Sequence, residues 1–302
     1  MALNTTDDQT RTSGMDRRGV LRALGAGAAS TAVAGTLATG GLGLASVPAQ
    51  AQTLTDTDIL NFALNFEYVG AEYYLHGLTG TGLPSSLLTG TGTQGTVTAG
   101  GAVPFQNPAI KQYVARLAAD EQAHVAFLRT VLGSAAIAEP RIDLVNPWTT
   151  FAVAAGLIPA GQTFNPYASD IGFLLGAYVL EDVCVTALAG AAALLTNKNN
   201  VEGAAGLLGT EGYQAGAIRT LLANVGAGQA TDAISAVRAR LSGVGDEGTS
   251  VTGNAFNISN TDSNALVYRR TPAEVLAIAY GAPGVASGGL FPNGVNGTVT
   301  MA

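Results

Sequence analysis

The chain has 302 residues, of which 47% are hydrophobic and 12% are charged, so it can bury a substantial core in one or two domains. Its formal net charge of −7 and its lack of any basic stripe argue against binding to nucleic acid and against acidic substrates. Cys184 is the only cysteine, which excludes an intramolecular disulfide.

The first 51 residues have the features of an export signal. They contain the paired arginines Arg17 and Arg18, then an Ala/Gly-rich, weakly apolar stretch, then small residues at Ala49 and Ala51. This order resembles the twin-arginine pattern, an address that usually directs folded proteins across the bacterial inner membrane. Because the stretch is rich in glycine and poor in leucine, cleavage near Ala51 is favoured over a membrane anchor. We therefore predict a signal peptide over residues 1–51 and a periplasmic or secreted mature protein. No later segment is expected to be apolar enough to span a bilayer.

The first predicted helix ends at Gly77. Its inward-facing residues recur at three- and four-residue steps from Ile59 to Tyr74, the spacing of one face of a helix. Asp56 or Thr57 can cap its start, because a short polar side chain accepts hydrogen bonds from the unpaired backbone N–H groups there. A Gly/Thr-rich stretch follows and extends to residue 106.

The second predicted helix begins at Asn107, with Pro108 in the first helical position, and ends at Gly133. Its inward positions alternate four- and three-residue steps, a pattern typical of helices that pack at a shallow angle in a bundle. The next connection, from Ser134 to Ala168, contains four prolines. Because it is long enough to run the length of a bundle, we expect the second and third helices to lie parallel, joined by one long crossover.

Two more helices with the same repeat are predicted over residues 171–195 and 201–222. A short amphipathic piece follows at residues 231–241. Thr271, with Glu274 three residues later, forms the capping-box pattern that begins a last, short helix. These elements predict an all-α fold.

Each of the four long helices carries a glutamate near the middle of its inward face. These are Glu67, Glu121, Glu181 and Glu211, and the second helix adds His124. Four buried carboxylates repel one another unless they are protonated, paired with cations or bound to metal. The arginines of these helices, Arg116, Arg129 and Arg219, fall off the inward faces. A pair of divalent metal ions is therefore the simplest neutraliser.

The spacing on the second helix suits a metal ligand pair. Glu121 and His124, three residues apart, project from nearly the same side of a helix and can reach one ion. A symmetric site would have a second histidine three residues after Glu211, where the chain has Gln214. An amide oxygen is a weaker ligand than imidazole. Two interpretations stay open: bound metal, as a pair or a single ion, and a hydrogen-bonded carboxylate cluster without metal.

Four other residues carry weaker signals. Tyr178, one turn before Glu181, could orient that carboxylate, although packing is the commoner role of an inward tyrosine. His76 suits the C-terminal dipole of the first helix better than a ligand role. Glu72 falls off the inward face of its helix, which predicts solvent exposure. Cys184 lies in an apolar pattern, which predicts a buried structural thiol.

Four stretches of the chain resemble a known family: LNFALNFEYVGAEYYLHGLTG, LAADEQAHVAFLR, GAYVLEDVCVTALAGAAALL and GTEGYQAGAIRTLL. With the C-terminal YRRTPAEVLAIAYG and GGLFPNGVNG, they are similar to the ferritin-like domain family that includes plant and bacterial desiccation-related proteins. The resemblance covers residues 55–300. It implies a ferritin-like four-helix bundle over residues 52–225 and a C-terminal extension, residues 226–302, packed on that bundle.

The resemblance also implies a cofactor. In metal-binding members of the wider superfamily, the carboxylate and histidine pattern holds two iron or manganese ions. The residues that match those ligands position by position are Glu67, Glu121, His124, Glu181 and Glu211. The match breaks at Gln214, where the pattern has histidine. Iron or manganese ions are thus the implied cofactors and partners.

Two functions are consistent with these features. The first is an oxidoreductase that acts on oxygen or peroxide at a di-iron or di-manganese carboxylate site, in stress or desiccation tolerance. The second is a non-catalytic structural or protective envelope protein with a metal-free bundle. The sequence leaves assembly into a homo-oligomer open.

Overall fold

The computed structural model describes residues 54–252 and 255–302, so the predicted signal peptide lies outside the described residues. Within them the chain is mainly helical, which confirms the all-α prediction. The helices are α1 (Asp56–Thr79), α2 (Pro108–Leu132), α3 (Asn146–Ala154), α4 (Asp170–Ala191), α5 (Lys198–Asn224), α6 (Gly228–Ser242) and α7 (Pro272–Tyr280). The strands are β1 (Val97–Thr98), paired in parallel with β2 (Ile142–Asp143), and β3 (Val251–Thr252), paired antiparallel with β4 (Ala255–Phe256).

The ends of α2 and α7 agree with the sequence prediction. The Asn107 side chain accepts a hydrogen bond from the backbone N–H of Ala109 at the start of α2, and Gly133 follows the last turn. At α7, the side chains of Thr271 and Glu274 each accept a hydrogen bond from the other's backbone N–H. Both starts combine a polar cap with proline in the first helical turn, a strong local signal.

Both predicted ends of α1 were wrong. Thr55, rather than Asp56 or Thr57, caps the helix, because its hydroxyl accepts the Asp58 N–H while the Asp58 carboxylate accepts the Thr55 N–H. The carboxylate of Asp56 instead accepts hydrogen bonds from the residues that start α5.

The glycine that ends α1 is Gly80, not Gly77. Gly80 adopts φ 79°, the left-handed conformation typical of a helix end. Gly77 lies inside the helix, where the ring of Phe173 packs against it. A Cβ at this position would overlap that ring. Contact with another helix, rather than a turn, therefore explains this glycine.

The bundle has the predicted crossover. The Asp170 carboxylate, at the start of α4, accepts hydrogen bonds from the backbone N–H groups of Gln106 and Asn107, just before α2. Helices α2 and α4 therefore begin at the same end of the bundle and run parallel. Asn61, near the start of α1, exchanges hydrogen bonds with Ala135 and Ile137, just after α2, so α1 and α2 are antiparallel.

The crossover contains helix α3, which the sequence prediction missed. The residue before it is Val145, which supplies no side-chain cap, and Pro147 occupies its first turn. Burial of Trp148 and Ala152 holds the helix against the core. Its two buried side chains are too few for a recognisable periodic pattern.

Helix α4 is the most apolar helix of the bundle. By length and composition it is apolar enough to cross a membrane. The expectation that no later segment is apolar enough to do so was therefore wrong. However, 83% of its most apolar window is buried inside the protein. Its hydrophobicity is that of a core helix covered by its neighbours.

A buried ion-pair network joins the C-terminal segment, the part of the chain that follows α5, to the bundle. Asp182 on α4 contacts Arg219 and Arg238, each at 2.7 Å, and Asp246 contacts Arg238 at 2.7 Å and Arg270 at 2.8 Å. All of these side chains are at most 2% exposed. Arg219 thus pairs with Asp182 and not with the inward-facing glutamates, in agreement with its predicted position off the inward face, but it is buried inside the protein.

Candidate metal centre

Four of the six predicted ligand residues come together in the bundle core. Glu67 on α1, Glu121 and His124 on α2, and Glu211 on α5 each offer one ligand atom, and these atoms all lie within 4.8 Å of one another. All four residues are buried. The seven-residue repeats of the three helices place these polar positions at the same level of the core.

The distances suit ligands that share one ion. His124 Nδ1 lies 3.2 Å from Glu211 Oε1, 3.3 Å from Glu67 Oε2 and 3.6 Å from Glu121 Oε1. A single imidazole nitrogen donates at most one hydrogen bond, so it cannot satisfy three oxygens. Two ligands that are each about 2.1 Å from one ion, at angles of about 90–110°, lie roughly 3.0–3.4 Å apart. The observed separations are close to that range.

The converging atoms also lack other partners. Among the described residues, Glu67 Oε2, Glu121 Oε1, His124 Nδ1 and Glu211 Oε1 are buried without a well-formed hydrogen bond. Leaving a buried polar atom unsatisfied costs about 1–3 kcal/mol, and more for a charged one. One divalent cation would satisfy all four atoms at once. Carboxylate and imidazole donors suit iron and manganese, so these residues fit the implied metal.

Without a cation the cluster retains protons. Burial raises the pKa of Glu67 to about 7 and raises the pKa of Glu121 well above its usual range, with the charge of Glu211 adding to both effects. Burial by itself would lower the pKa of His124, but its contacts with the three carboxylates outweigh burial and raise that pKa. Metal binding should therefore release protons, since the ligand atoms must be unprotonated.

Glu181, the fifth predicted ligand, lies beside this group but is not one of the four converging residues. It is buried, and its Oε1 accepts a hydrogen bond from the hydroxyl of Tyr74. Burial, followed by the charges of Glu211 and Glu121, raises its pKa well above the usual range. Glu181 is thus adjacent to the cluster and held by a tyrosine.

The tyrosine that orients Glu181 is Tyr74, not Tyr178. The Tyr178 hydroxyl is 2.7 Å from Ser235 Oγ and donates to the backbone carbonyl of Glu247 at 3.2 Å. Tyr178 therefore points toward the C-terminal segment. The sequence does carry a signal for Tyr74, because it lies seven residues, or two turns, after Glu67 on the same inward face.

Gln214, the sixth predicted ligand, is buried on the helical turn after Glu211. Its Nε2 lies 3.5 Å from Asp120 Oδ2, and its Oε1 has no partner among the described residues. The amide nitrogen thus contacts Asp120, while the amide oxygen has no hydrogen-bond partner in the described part of the chain. The oxygen is the only atom of the amide that can bind a cation. Its role as a ligand stays a prediction.

We expect His124→Gln to weaken metal binding at least tenfold more than Gln214→Ala, because imidazole is the stronger ligand for these ions. Calorimetric titration of each variant with Mn²⁺ measures the difference. Equal losses in the two variants would mean that the ligand assignment is wrong.

Gly70 makes room for Glu121. A Cβ at residue 70 would overlap Glu121 Oε2, because α1 and α2 pack closely at this level. We expect Gly70→Ala to displace this carboxylate and to lower affinity for Mn²⁺ by at least about tenfold. Calorimetric titration and a thermal melt of the metal-free chain measure both effects.

Gly206→Ala is the matched control for Gly70→Ala. Gly206 is an exposed helical glycine on α5, and no atom lies within 4 Å of the position that an alanine methyl group would take, so this change should leave Mn²⁺ affinity unchanged. It should also stabilise the chain by up to about 1 kcal/mol through helix propensity. Wild-type Mn²⁺ affinity in Gly70→Ala would contradict the close approach.

The prediction that Glu72 is exposed was wrong. The residue is only 2% exposed, its Oε1 accepts the backbone N–H of Leu83, and its Oε2 lies 3.1 Å from His76 Nε2. The Gly/Thr-rich stretch after α1 folds over this side of the helix, and a Cβ at Gly82 would overlap Glu72 Oε2. Helical periodicity cannot predict the burial of Glu72, because a loop outside the helix covers it.

Glu139 lies beside Glu72 and makes stability depend on pH. Burial, followed by repulsion from Glu72, raises the pKa of Glu139 to about 9, against 4.5 in the unfolded chain. Its contribution to stability is therefore full below about pH 4.5 and is lost as pH rises toward 9. We expect Glu139→Gln, which stays neutral, to remove a stability loss of about 1 kcal/mol per pH unit over this window.

Urea unfolding at pH 5, 7 and 9 measures this effect. The exposed Glu202 on α5 supplies the matched control, Glu202→Gln, which should keep the wild-type pH dependence. A parallel pH dependence in wild type and Glu139→Gln would show that Glu139 does not hold a proton in the folded chain.

Comparisons with known proteins agree with this architecture. The family model described as "Ferritin-like domain" matches residues 55–224, which span α1, α2, α4 and α5. "Ferritin-like catalase Nec2" from Nesocodon mauritianus is 28% identical over 269 residues, covering 81% of this chain and 84% of that protein. "Desiccation-related protein PCC13-62" from Craterostigma plantagineum is 28% identical over 248 residues, covering 74% and 76%. No solved structure gives a significant match.

Proposed function

The chain belongs to the ferritin-like domain family, and we propose that it is an exported, metal-dependent oxidoreductase that consumes hydrogen peroxide. The observation that carries this proposal is the convergence of Glu67, Glu121, His124 and Glu211 on one buried point, where their ligand atoms lack other partners. A carboxylate-rich site with one imidazole suits a redox-active iron or manganese ion.

The choice of peroxide rests on one of the similar proteins. A relative that matches over 81% of this chain bears the name of a ferritin-like catalase. In the catalase reaction, two molecules of hydrogen peroxide give two of water and one of dioxygen, so one peroxide is oxidised and the other reduced. A bound iron or manganese centre would supply the electron transfer between them.

The residues of the chain have separable roles in this proposal. Glu121 and His124 would hold one ion, and Glu211 with Gln214 would hold a second one less tightly. Glu67, on α1, would supply a further carboxylate ligand. The apolar core around these residues excludes bulk water, which strengthens every electrostatic interaction within the site.

Glu181 is placed to hold a proton beside the reacting oxygens. Burial raises its pKa well above the usual range, which favours its protonated form, and the Tyr74 hydroxyl fixes its Oε1. Its Oε2 is buried without a partner among the described residues. A proton on Oε2 can pass to an oxygen of the peroxide that is reduced to water, and it can be replaced by a proton released from the peroxide that is oxidised to dioxygen.

Oxygen evolution tests the activity. The purified chain, loaded with Mn²⁺ or Fe²⁺ and freed of excess metal, should release half a mole of dioxygen per mole of hydrogen peroxide consumed. Metal-free chain and loaded Glu211→Ala should not. Less than about a tenth of an equivalent of retained metal per chain would end the proposal. Equal turnover in Glu211→Ala would assign the reaction to adventitious metal.

Export is a separate part of the proposal and rests on Arg17, Arg18 and the small residues before Gln52. Replacing both arginines by lysine should keep the full-length precursor in the cytoplasm of a bacterial host, while the wild-type chain should be recovered outside it in a shortened form. Equal fractionation of the two chains would contradict a twin-arginine signal.

A second function is favoured by one specific residue. Gln214 replaces the second imidazole, which weakens one of the two ion positions, and the other similar protein bears the name desiccation-related. A non-catalytic protective protein with a metal-free bundle would show both features. The retained-metal measurement separates it from the oxidoreductase, because it would keep no metal.

A further inference from the structure

An apolar cavity lies between the bundle and the C-terminal segment. Its volume is about 410 Å³, and it is bounded by α1, α3, α4, α6 and α7 and by the chain just after α7. Sites that bind drug-sized molecules have volumes of about 300–1,000 Å³. The cavity is therefore large enough for a small organic molecule.

Carbon atoms make up most of the cavity wall. The main apolar side chains are Phe66, Trp148, Phe151, Leu180, Val183 and Leu290. The polar atoms of the aromatic lining are already engaged, because Trp148 Nε1 donates to the Leu144 carbonyl and the Tyr280 hydroxyl donates to that of Thr300. The interior thus offers burial of apolar surface and little hydrogen bonding.

One positively charged side chain lies at the mouth of this cavity. Arg240 on α6 lines the cavity and is exposed, and among the described residues it forms no salt bridge. The buried arginines of the neighbouring network, in contrast, all have carboxylate partners. Thr150, also exposed, lines the cavity and adds a hydroxyl. A planar guanidinium can hold a carboxylate through two parallel hydrogen bonds.

The inner end of the cavity lies close to the candidate metal centre. Gly70 lines the cavity, and Glu121 packs against it so closely that a methyl group would not fit between them. Cys184 lines both this cavity and a small void of about 20 Å³ that Glu67 also lines.

We propose that this cavity binds a carboxylate-headed amphiphile, a medium-chain fatty acid, with its head group at Arg240 and its tail extending over Gly70 and Cys184. The carbon-lined interior selects the tail and the unpaired guanidinium selects the head. This binding needs no metal, so it stands or falls independently of the peroxide reaction.

The chain provides its own probe, because Trp148 is its only tryptophan and lines the cavity. A bromine atom quenches indole fluorescence only near contact, so a brominated chain reports its own position. We expect 11-bromoundecanoate, added below its micellar concentration to metal-free full chain, to quench Trp148 saturably. We expect 11-bromoundecanol, which lacks the charge, to bind about tenfold more weakly.

Two variants and one control locate the head and the tail. Arg240→Gln should weaken binding of the acid about tenfold and leave the alcohol unchanged, so that the two bind alike. Ala154→Phe, at an exposed cavity-lining position of α3, should weaken both by filling the mouth. Arg116→Gln, on the exposed surface of α2, should change neither.

The proposal is overturned by any of three results. These are quenching that does not saturate, equal binding of the acid and the alcohol to the wild-type chain, and an undiminished preference for the acid in Arg240→Gln. Because Arg240 is exposed, its variant should keep the wild-type melting temperature, and that melt is recorded alongside each titration.

Discussion

Adding Mn²⁺ or Fe²⁺ should raise the melting temperature of the wild-type chain, and Glu121→Gln should abolish that rise. A ligand that binds only the folded state stabilises it by about 2.7 kcal/mol when its concentration is 100 times Kd. For a chain of this size that corresponds to a shift of roughly 5–10 °C. Glu121 offers one of the four converging atoms, so its loss should remove most of the affinity.

The same variant should have the opposite effect without metal. Burial and the charge of Glu211 raise the pKa of Glu121, which means that the folded, metal-free chain resists ionising it. Glutamine has nearly the same shape and no charge, so metal-free Glu121→Gln should melt at a higher temperature than metal-free wild type at pH 8. A functional carboxylate cluster thus trades stability for affinity.

The exposed Glu202→Gln is the control for both effects, and it should match wild type with and without metal. A wild-type melting temperature that does not respond to either ion would contradict the metal centre. A Glu121→Gln chain that retains the full shift would place the ions elsewhere.

Local sequence predicts which polar side chains converge in the core where the signal lies on a single helix. Glu67, Glu121 and Glu211 interrupt apolar repeats, and burying a charge is costly enough that such an interruption calls for an explanation. His124 follows from its spacing to Glu121. The repeats also align the helices, so the residues that meet in the core were evident before any tertiary contact was known.

The sequence fails where another element decides a residue's surroundings. Glu72 is off the inward face of α1 and would be exposed on an isolated helix, but the stretch after α1 covers it. Tyr178 lies on the right face, yet its hydroxyl bonds to Ser235 on α6, which is far away in sequence. The apolar cavity depends on five helices together, so no single pattern predicts it.

Asp182 is the clearest case, because it directly follows Glu181 and has a different role. Its partners Arg219 and Arg238 lie 37 and 56 residues away along the chain. No periodicity links these positions. The adjacent acids of one helix therefore serve two separate purposes: Glu181 faces the carboxylate cluster and Asp182 anchors the C-terminal segment.

Asp182→Ala should destabilise the chain by about 3–5 kcal/mol, because the buried Arg219 loses its carboxylate partner and the buried Arg238 keeps only Asp246. Asp182 Oδ2 accepts hydrogen bonds from both Arg219 and Arg238, each at 2.7 Å, and all three side chains are buried. Removing the carboxylate leaves two guanidinium groups facing each other in a region from which water is excluded. Urea unfolding of the metal-free chain measures the loss.

Asp120→Ala is the control, because the partly buried Asp120 pairs at 2.6 Å with Arg116, whose side chain is exposed on α2. An ion pair at the protein surface contributes at most about 1 kcal/mol and is screened by salt, whereas a buried network is screened much less. Raising NaCl from about 0.05 to about 0.5 M should therefore shrink the Asp120→Ala difference and leave the Asp182→Ala difference nearly unchanged. Asp182→Ala could instead cost no more than Asp120→Ala, or lose its effect in salt. Either result would mean that Arg219 and Arg238 are solvated, and would contradict the role of Asp182 in joining α6 to the bundle.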